Sequence, residues 1–202
     1  MSEDTGARNL QWADTLVAEL IACGVRRFIL SPGSRCTPLA VAVARQDADA
    51  ISHFDERAAA FAAVGHARAT GEPAVLICTS GTAAANYLPA VIEASQAGLP
   101  MILLTADRPP ELRDTGANQA IDQVKLYGDA VRWYFELPCP EESMNLSFGR
   151  SSINYGVARA REGRGPVHLN CCFREPFLPA TIPGPPTPSP AATTYSASER
   201  RL

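Results

Sequence analysis

The chain has 202 residues, 46% of them hydrophobic and 19% charged, enough for one domain with a sizeable core. Its formal net charge of −3 excludes the basic footprint of a nucleic-acid binder, and no apolar run reaches membrane-spanning length. Every basic residue but Lys125 is Arg, the better fork for carboxylates and phosphates, although genomic base composition produces the same bias.

In chain order, the opening MSEDTGARNLQW has no apolar core of the kind a secretory leader needs, so none is expected. Residues 9–22 put Leu10, Ala13, Leu16, Val17, Leu20 and Ile21 on one helical face, with Gly24 just past the end. The β-rich run VRRFIL (25–30) leads into the loop SPGSRCTP, and LAVAVARQ (39–46) reads as a helix. AISHF (50–54) is a brief strand, followed over 56–69 by an Ala-rich helix with Asp55, Glu56 and Arg57 crowded at its start. PAVLICT (73–79) is a near-continuous apolar run, as in a strand buried on both faces. SGTAAANYLPAVIEASQAG then gives a small-residue turn and a helix ending at Gly98. PMILLTA (100–106) repeats the buried-strand pattern, DRPPELRDTGANQAIDQ is a long polar loop, and AVRWYFEL (130–137) resembles a third such strand. A helix over 147–163 and a strand over 165–172 complete the series.

Strand and helix alternate at intervals long enough for crossovers. That predicts an α/β fold: an open, mainly parallel sheet with helices on both faces and right-handed connections. Residues 1–179 form this domain. From 180 to 202 Pro, Ser, Thr and Ala dominate, and the segment is expected to be an extended or disordered linker. A chain that stops inside a linker is expected to be incomplete. The six cysteines form no C-x-x-C pair and no His lies at zinc-ligand spacing from them, so no metal site is expected and a reducing cytoplasm is the default location.

Ligands of such sheets meet the loops at the carboxyl ends of the strands. Four loops qualify: 31–38, 54–57, 79–86 and 105–123. In the first, Pro32 and Gly33 fix a turn while Ser34 and Arg35 open the next helix, either as an anion cradle or as a helix cap beside a solvated Arg. Glu56 is either an acid aimed at a ligand or a first-turn charge that favours the helix dipole. Ser80, Gly81 and Thr82 offer hydroxyls and backbone donors to a ligand, or merely cap a helix. The fourth loop crowds Asp107, Arg108, Glu111, Arg113, Asp114, Asn118, Gln119, Asp122 and Gln123 together. Functional loops do this, and so do solvated excursions with internal ion pairs. His53, His66 and His168 are isolated, which favours satisfied core residues over catalysis, and TSGT lacks the G-x-S-x-G elbow of a serine hydrolase.

Five stretches occur in this order: LSPGSRCTPLA, HFDERAAAFAAVGHARATG, TSGTAAANYLPAVIEA, LLTADRPPELRDTGANQAIDQ and GPVHLNC. Together they resemble the N-terminal pyrimidine-binding domain of thiamine-diphosphate enzymes, and among these the menaquinone-pathway synthases that join 2-oxoglutarate to isochorismate. The resemblance covers about residues 9–179, and TADRPPEL…TGANQ is its most specific part. It implies a transferase whose acid, matching Glu56, hydrogen-bonds N1′ of the cofactor's aminopyrimidine and favours the form that removes the C2 proton. It implies that Ser80, Gly81 and Thr82 approach that ring, and that Ser34, Arg35, Arg108, Asn118 and Gln119 contact isochorismate. Thiamine diphosphate and Mg2+ are the implied cofactors, the metal being held by a diphosphate-binding domain whose G-D-G…N-N motif is absent from these residues. The chain is then half a site, inactive alone and completed by a second subunit in a homo-oligomer, a dimer or tetramer. Cys36 departs from the small hydroxyl or apolar residue usual in this family. Two other readings stand: a subunit of a two-chain 2-oxoacid decarboxylase, and a non-catalytic interaction domain of the same fold. The DRPPEL…TGANQ loop speaks against the first, and intact Glu56, Arg35 and Arg108 against the second.

Overall fold

A computed structural model describes residues 2–186. Most of the expected linker, 187–202, lies outside the described residues. Six strands, β1 (Arg27–Leu30), β2 (Asp49–Ser52), β3 (Ala74–Cys78), β4 (Met101–Asp107), β5 (Trp133–Leu137) and β6 (Pro166–Cys172), form one parallel sheet in the order β2-β1-β3-β4-β6-β5. Six helices accompany them: α1 (Ser2–Ala22), α2 (Thr37–Ala44), α3 (Glu56–Thr70), α4 (Thr82–Ala85), α5 (Leu88–Ala97) and α6 (Leu146–Glu162).

The alternation of side chains along β3 and β4 divides the core in two. Val75, Ile77, Ile102 and Leu104 face α1, α2 and α6, while Leu76, Cys78, Met101 and Leu103 face α3, α4 and α5. Every residue of β3, β4 and β6 is buried, as central parallel strands require. The expected open sheet with helices on both faces is therefore the observed one.

Three elements differ from the pattern read in the sequence. The first helix begins at Ser2, well before the apolar periodicity that starts at Leu10; its opening turns are supported by packing, with the buried Gly6 lying against the backbone of Leu178 and Pro179. The run expected as one helix after Gly81 is two, α4 and α5, broken around Asn86 and Tyr87 with Pro89 in the first turn of α5, where its missing N–H costs nothing. The third apolar run, expected to be doubly buried, is the edge strand β5. It pairs with β6 alone and its residues before Leu137 are half-buried, with Trp133 and Phe135 stacked at 5.4 Å between ring centroids.

The segment after β6 is tied back across α1. Asn9 Nδ2 donates to the carbonyls of Arg174 (2.8 Å) and Pro176 (3.0 Å). α1 and α6 also meet closely, for a Cβ at Gly149 would lie 2.7 Å from the Trp12 ring. Gly149→Ala should therefore lower stability by about 1–3 kcal/mol through overpacking. Gly65→Ala, with nothing within 4 Å of the new methyl group, should gain roughly 0.5–1 kcal/mol from helix propensity. Urea unfolding of both variants checks this: the two midpoints should move in opposite directions.

Candidate functional site

The chain runs from β1 outward to β2 and returns past β1 to β3, so the order reverses between β1 and β3. Loops at such a reversal open a crevice at the carboxyl edge of the sheet. Here they touch: a Cβ at Gly33 would lie 2.5 Å from that of Thr79. Only glycine lets the turn after β1 lie so close to the turn after β3.

Ser34, Arg35 and Cys36 form a single 3-10 turn whose cap, Gly33, makes no side-chain hydrogen bond. The capping reading of Ser34 thus lapses, and its hydroxyl is exposed. Nor is Arg35 solvated. It is 5% exposed, with Nη1 donating to the Phe173 carbonyl (2.8 Å), Nη2 paired with Glu175 Oε1 (3.0 Å) and its guanidinium carbon 4.6 Å from the centre of the Phe177 ring.

The turn after β3 is held from three sides by the long loop. Arg108 Nη1 donates to Ser80 Oγ and to the Gln119 carbonyl, and Gln119 Nε2 donates to the Ser80 carbonyl (3.1 Å). Gln123 Oε1 accepts from the Gly81 N–H (2.8 Å). Gly81 has φ +88° and an added Cβ would meet the Gln119 carbonyl at 2.9 Å, so this position needs glycine twice over. Gly81 caps α4 without any side-chain hydrogen bond, so neither Ser80 nor Thr82 acts as a helix cap. Thr82 is exposed, whereas Ser80 is fully buried and commits its hydroxyl to Arg108. The Arg108 guanidinium is pushed below its ordinary pKa, first by burial and then by the like charge of Arg35, which places the two cations at one rim.

Behind the turn lies a buried polar chain. Gln123 Nε2 donates to Asn170 Oδ1 (2.9 Å), Thr105 Oγ1 donates to the same oxygen (2.8 Å), and Asn170 Nδ2 donates to Asp107 Oδ2 (2.8 Å). Asp107 also pairs with Arg113 (3.2 Å), which reaches Glu136 (2.9 Å). The long loop is therefore fastened to the sheet through Asp107, Arg113 and Gln123, while most of residues 111–122 are exposed between these anchors. Since the one Thr105 hydroxyl proton goes to Asn170, His168 Nε2 must be the donor in its 2.7 Å contact with Thr105. His168 Nδ1 is then an unprotonated acceptor, buried and without a partner among the described residues. The expected satisfied core histidine is satisfied at one nitrogen only, and burial lowers its pKa to about 3.

Glu56 opens α3 at the carboxyl edge, after Asp55 caps the helix by accepting from the Ala58 N–H (2.8 Å). It is half-buried, with no hydrogen bond or ion pair to its carboxylate among the described residues. Its charge reaches inward. Burial pushes the Cys36 thiol up to about 11, and Glu56 adds to that; Cys78 is raised by burial first, with Glu56 again contributing. Exposed apolar side chains occur on the same elements: Phe54 (94% exposed) just before α3, Phe61 on α3, and Leu88 and Ile92 on α5, which packs against α3.

The structure thus brings Arg35, Ser80, Gly81, Arg108 and Gln119 together, and sets Glu56 at the same edge. Asn118 is exposed on the loop beside Gln119, with no hydrogen bond to its side chain among the described residues. Sequence reasoning missed three partners: Gln123, which it placed only in a polar crowd, Asn170, hidden inside an apolar strand, and Glu175, beyond the last strand. A cavity of about 790 Å³ lies elsewhere, between α1, Arg45 and residues 179–186, and contains none of the expected site residues. Among the described residues no cluster of three or more His, Cys, Asp or Glu could hold a metal ion, and no helix is long and apolar enough to cross a membrane.

Residues 10–126 match the family model described as thiamine pyrophosphate enzyme, N-terminal TPP binding domain. Similar curated proteins include three named 2-succinyl-5-enolpyruvyl-6-hydroxy-3-cyclohexene-1-carboxylate synthase. That of Haloarcula marismortui is 59% identical over 178 residues, which is 87% of this chain and 30% of the relative. That of Salinibacter ruber is 53% identical over 83% of this chain and 29% of the relative. That of Rubrobacter xylanophilus is 52% identical over 89% and 32%. The chain spans about 30% of the length of the curated relatives it matches.

The buried histidine makes stability depend on pH. Unfolded His168 titrates near about 6.5, while the folded residue stays neutral down to about 3. Above the unfolded value both states are neutral; below it only the unfolded chain takes the proton, so stability falls as pH falls. Between pH 7 and pH 5 the wild-type chain should lose about 2 kcal/mol more than His168→Gln, read from urea unfolding at the two pH values.

Proposed function

From a chain that belongs to the thiamine pyrophosphate enzyme family through its N-terminal TPP-binding domain, we propose the aminopyrimidine half of a carboligase site that decarboxylates 2-oxoglutarate and adds the resulting four-carbon unit to isochorismate. The observation that carries this reading is Glu56: a half-buried carboxylate at the carboxyl edge of the sheet, unpartnered among the described residues. Such an acid fits a heterocycle that offers one nitrogen. Thiamine diphosphate supplies the electron sink for decarboxylation and carbon–carbon bond formation. Glu56 holds and exchanges the proton at N1′ of the aminopyrimidine. The Ser80–Gly81–Thr82 turn approaches the ring through its backbone and the exposed Thr82 hydroxyl, Ser80 itself being turned to Arg108.

Isochorismate is a dicarboxylate, and the rim offers two guanidiniums, Arg35 and Arg108, with Ser34, Asn118 and Gln119 beside them as hydrogen-bonding groups for hydroxyl and ether oxygens. Arg35 and Arg108 are also braced from behind, by the Phe173 and Gln119 carbonyls, so their remaining donors are preorganised. The exposed apolar residues Phe54, Phe61, Leu88 and Ile92 fit a docking face for the diphosphate-binding domain of a second subunit, which would bring the Mg2+ ligands. The six cysteines are free, in keeping with a cytoplasmic enzyme.

Glu56→Gln in the assembled enzyme should lower kcat by about a hundredfold or more with little change in the isochorismate KM; full activity would remove Glu56 from the chemistry. The 202-residue chain alone should release no carbon dioxide from 2-oxoglutarate with thiamine diphosphate and Mg2+. Adding a diphosphate-binding domain should restore release, and turnover by the isolated chain would overturn the half-site reading.

A further inference from the structure

Arg35 already holds a carboxylate. Its Nη2 pairs with Glu175 at 3.0 Å, but the two side chains live in different environments: the Arg35 side chain is 6% exposed and that of Glu175 is 67% exposed. The other end of the guanidinium is fixed, with Nη1 on the buried Phe173 carbonyl and the ring of Phe177 over one face. Nε is buried and without a partner among the described residues. Among the described residues Glu175 is thus the single anionic contact of a buried cation, made from the solvent side. It stands on the rim where Arg108 also lies, and both Arg35 and Glu175 act on the Arg108 charge.

We propose that Glu175 is an internal stand-in for a substrate carboxylate: it occupies Arg35 while the site is empty and yields that position to isochorismate. The inference rests on Arg35 being a substrate contact, as argued above. A buried guanidinium with no counter-charge is strongly unfavourable, so the empty site needs an anion there. A carboxylate that is mostly hydrated gives up little of its own on leaving, and the buried guanidinium keeps a counter-charge when a substrate carboxylate takes its place. Glu175 has both properties, being anchored to the chain next to Phe173 yet open to water. It then sets specificity as well as affinity. A ligand must present a carboxylate good enough to replace one already in place, so analogues that lack a carboxylate at that position are rejected by competition as well as by poor fit.

The sign of the effect separates this role from simple support. If Glu175 only buttresses Arg35, removing its charge weakens substrate binding. If it competes, removing its charge strengthens binding. Isochorismate KM is measured in the holoenzyme, and isochorismate Kd by calorimetry on the same assembly without thiamine diphosphate, for wild type, Glu175→Gln, Glu175→Asp and Arg35→Ala. The expected result is a fall in both constants of about twofold to fivefold for Glu175→Gln, the range an exposed pair commands. Glu175→Asp should lie between that variant and wild type, and both constants should rise for Arg35→Ala. Unchanged or raised constants in Glu175→Gln, with Arg35→Ala still raising them, overturn the stand-in and leave the substrate role of Arg35 intact. Unchanged constants in Arg35→Ala overturn both. Should circular dichroism show Glu175→Gln unfolded, Glu175→Asp decides alone: tighter binding supports the proposal and equal or weaker binding overturns it.

Discussion

Asn170 is the residue on which the arrangement of the site depends. It sits in the middle of a fully buried strand, yet its amide makes three hydrogen bonds, to Thr105, Gln123 and Asp107. Each bond leads somewhere different. Through Gln123 it reaches the Gly81 N–H at the turn after β3, through Asp107 it reaches Arg113 and the root of the long loop, and through Thr105 it reaches His168. A buried amide is costly unless its capacity is met, so these partners are not interchangeable with apolar residues one at a time. The network converts sheet register into loop position: β4 and β6 are paired with Thr105 opposite Asn170, and the loops follow from that pairing.

That coupling explains why the polar residues of the long loop serve the site mainly from behind. Gln119 and Arg108 were read as substrate contacts, and both spend hydrogen-bonding capacity on the Ser80–Gly81 turn. The two roles are compatible. An Arg with one nitrogen fixed on a carbonyl loses less freedom when its other donors meet a ligand. Preorganisation of this kind keeps Gly81 at φ +88° and the rim in one shape before any ligand arrives.

The strands and helices were legible in the sequence because a parallel sheet writes itself as apolar runs. PAVLICT and PMILLTA are the fully buried β3 and β4 almost residue for residue. AVRWYFEL looked the same but is an edge strand, since composition reports apolarity and says nothing of how many neighbours a strand has. The four loops were legible as a group because parallel strands send their carboxyl ends to one side. Their internal wiring was not. Asn170 reads as an anomaly in GPVHLNCC until Thr105 lies across from it, and Glu175 reads as surface until Arg35 proves buried. These are contacts between residues 65 to 140 positions apart, and no local pattern encodes them.

The charges at this edge are treated unequally, and the inequality carries the functional reading. The two rim cations have partners within the chain: Arg35 has Glu175 and the Phe173 carbonyl, Arg108 has Ser80 and the Gln119 carbonyl. Glu56 has none among the described residues, and what supports it is the N-terminus of α3, whose free N–H groups favour an anion there. A helix terminus steadies a carboxylate without using up its acceptor oxygens. The acid can thus be held at the edge with both oxygens still free to accept a hydrogen bond. Had an Arg been placed against it, the pair would be more stable and the oxygens spent. An unspent acceptor at this edge is suited to a donor on a ring that the chain itself does not supply, which is why the proposed site needs a second component to be complete.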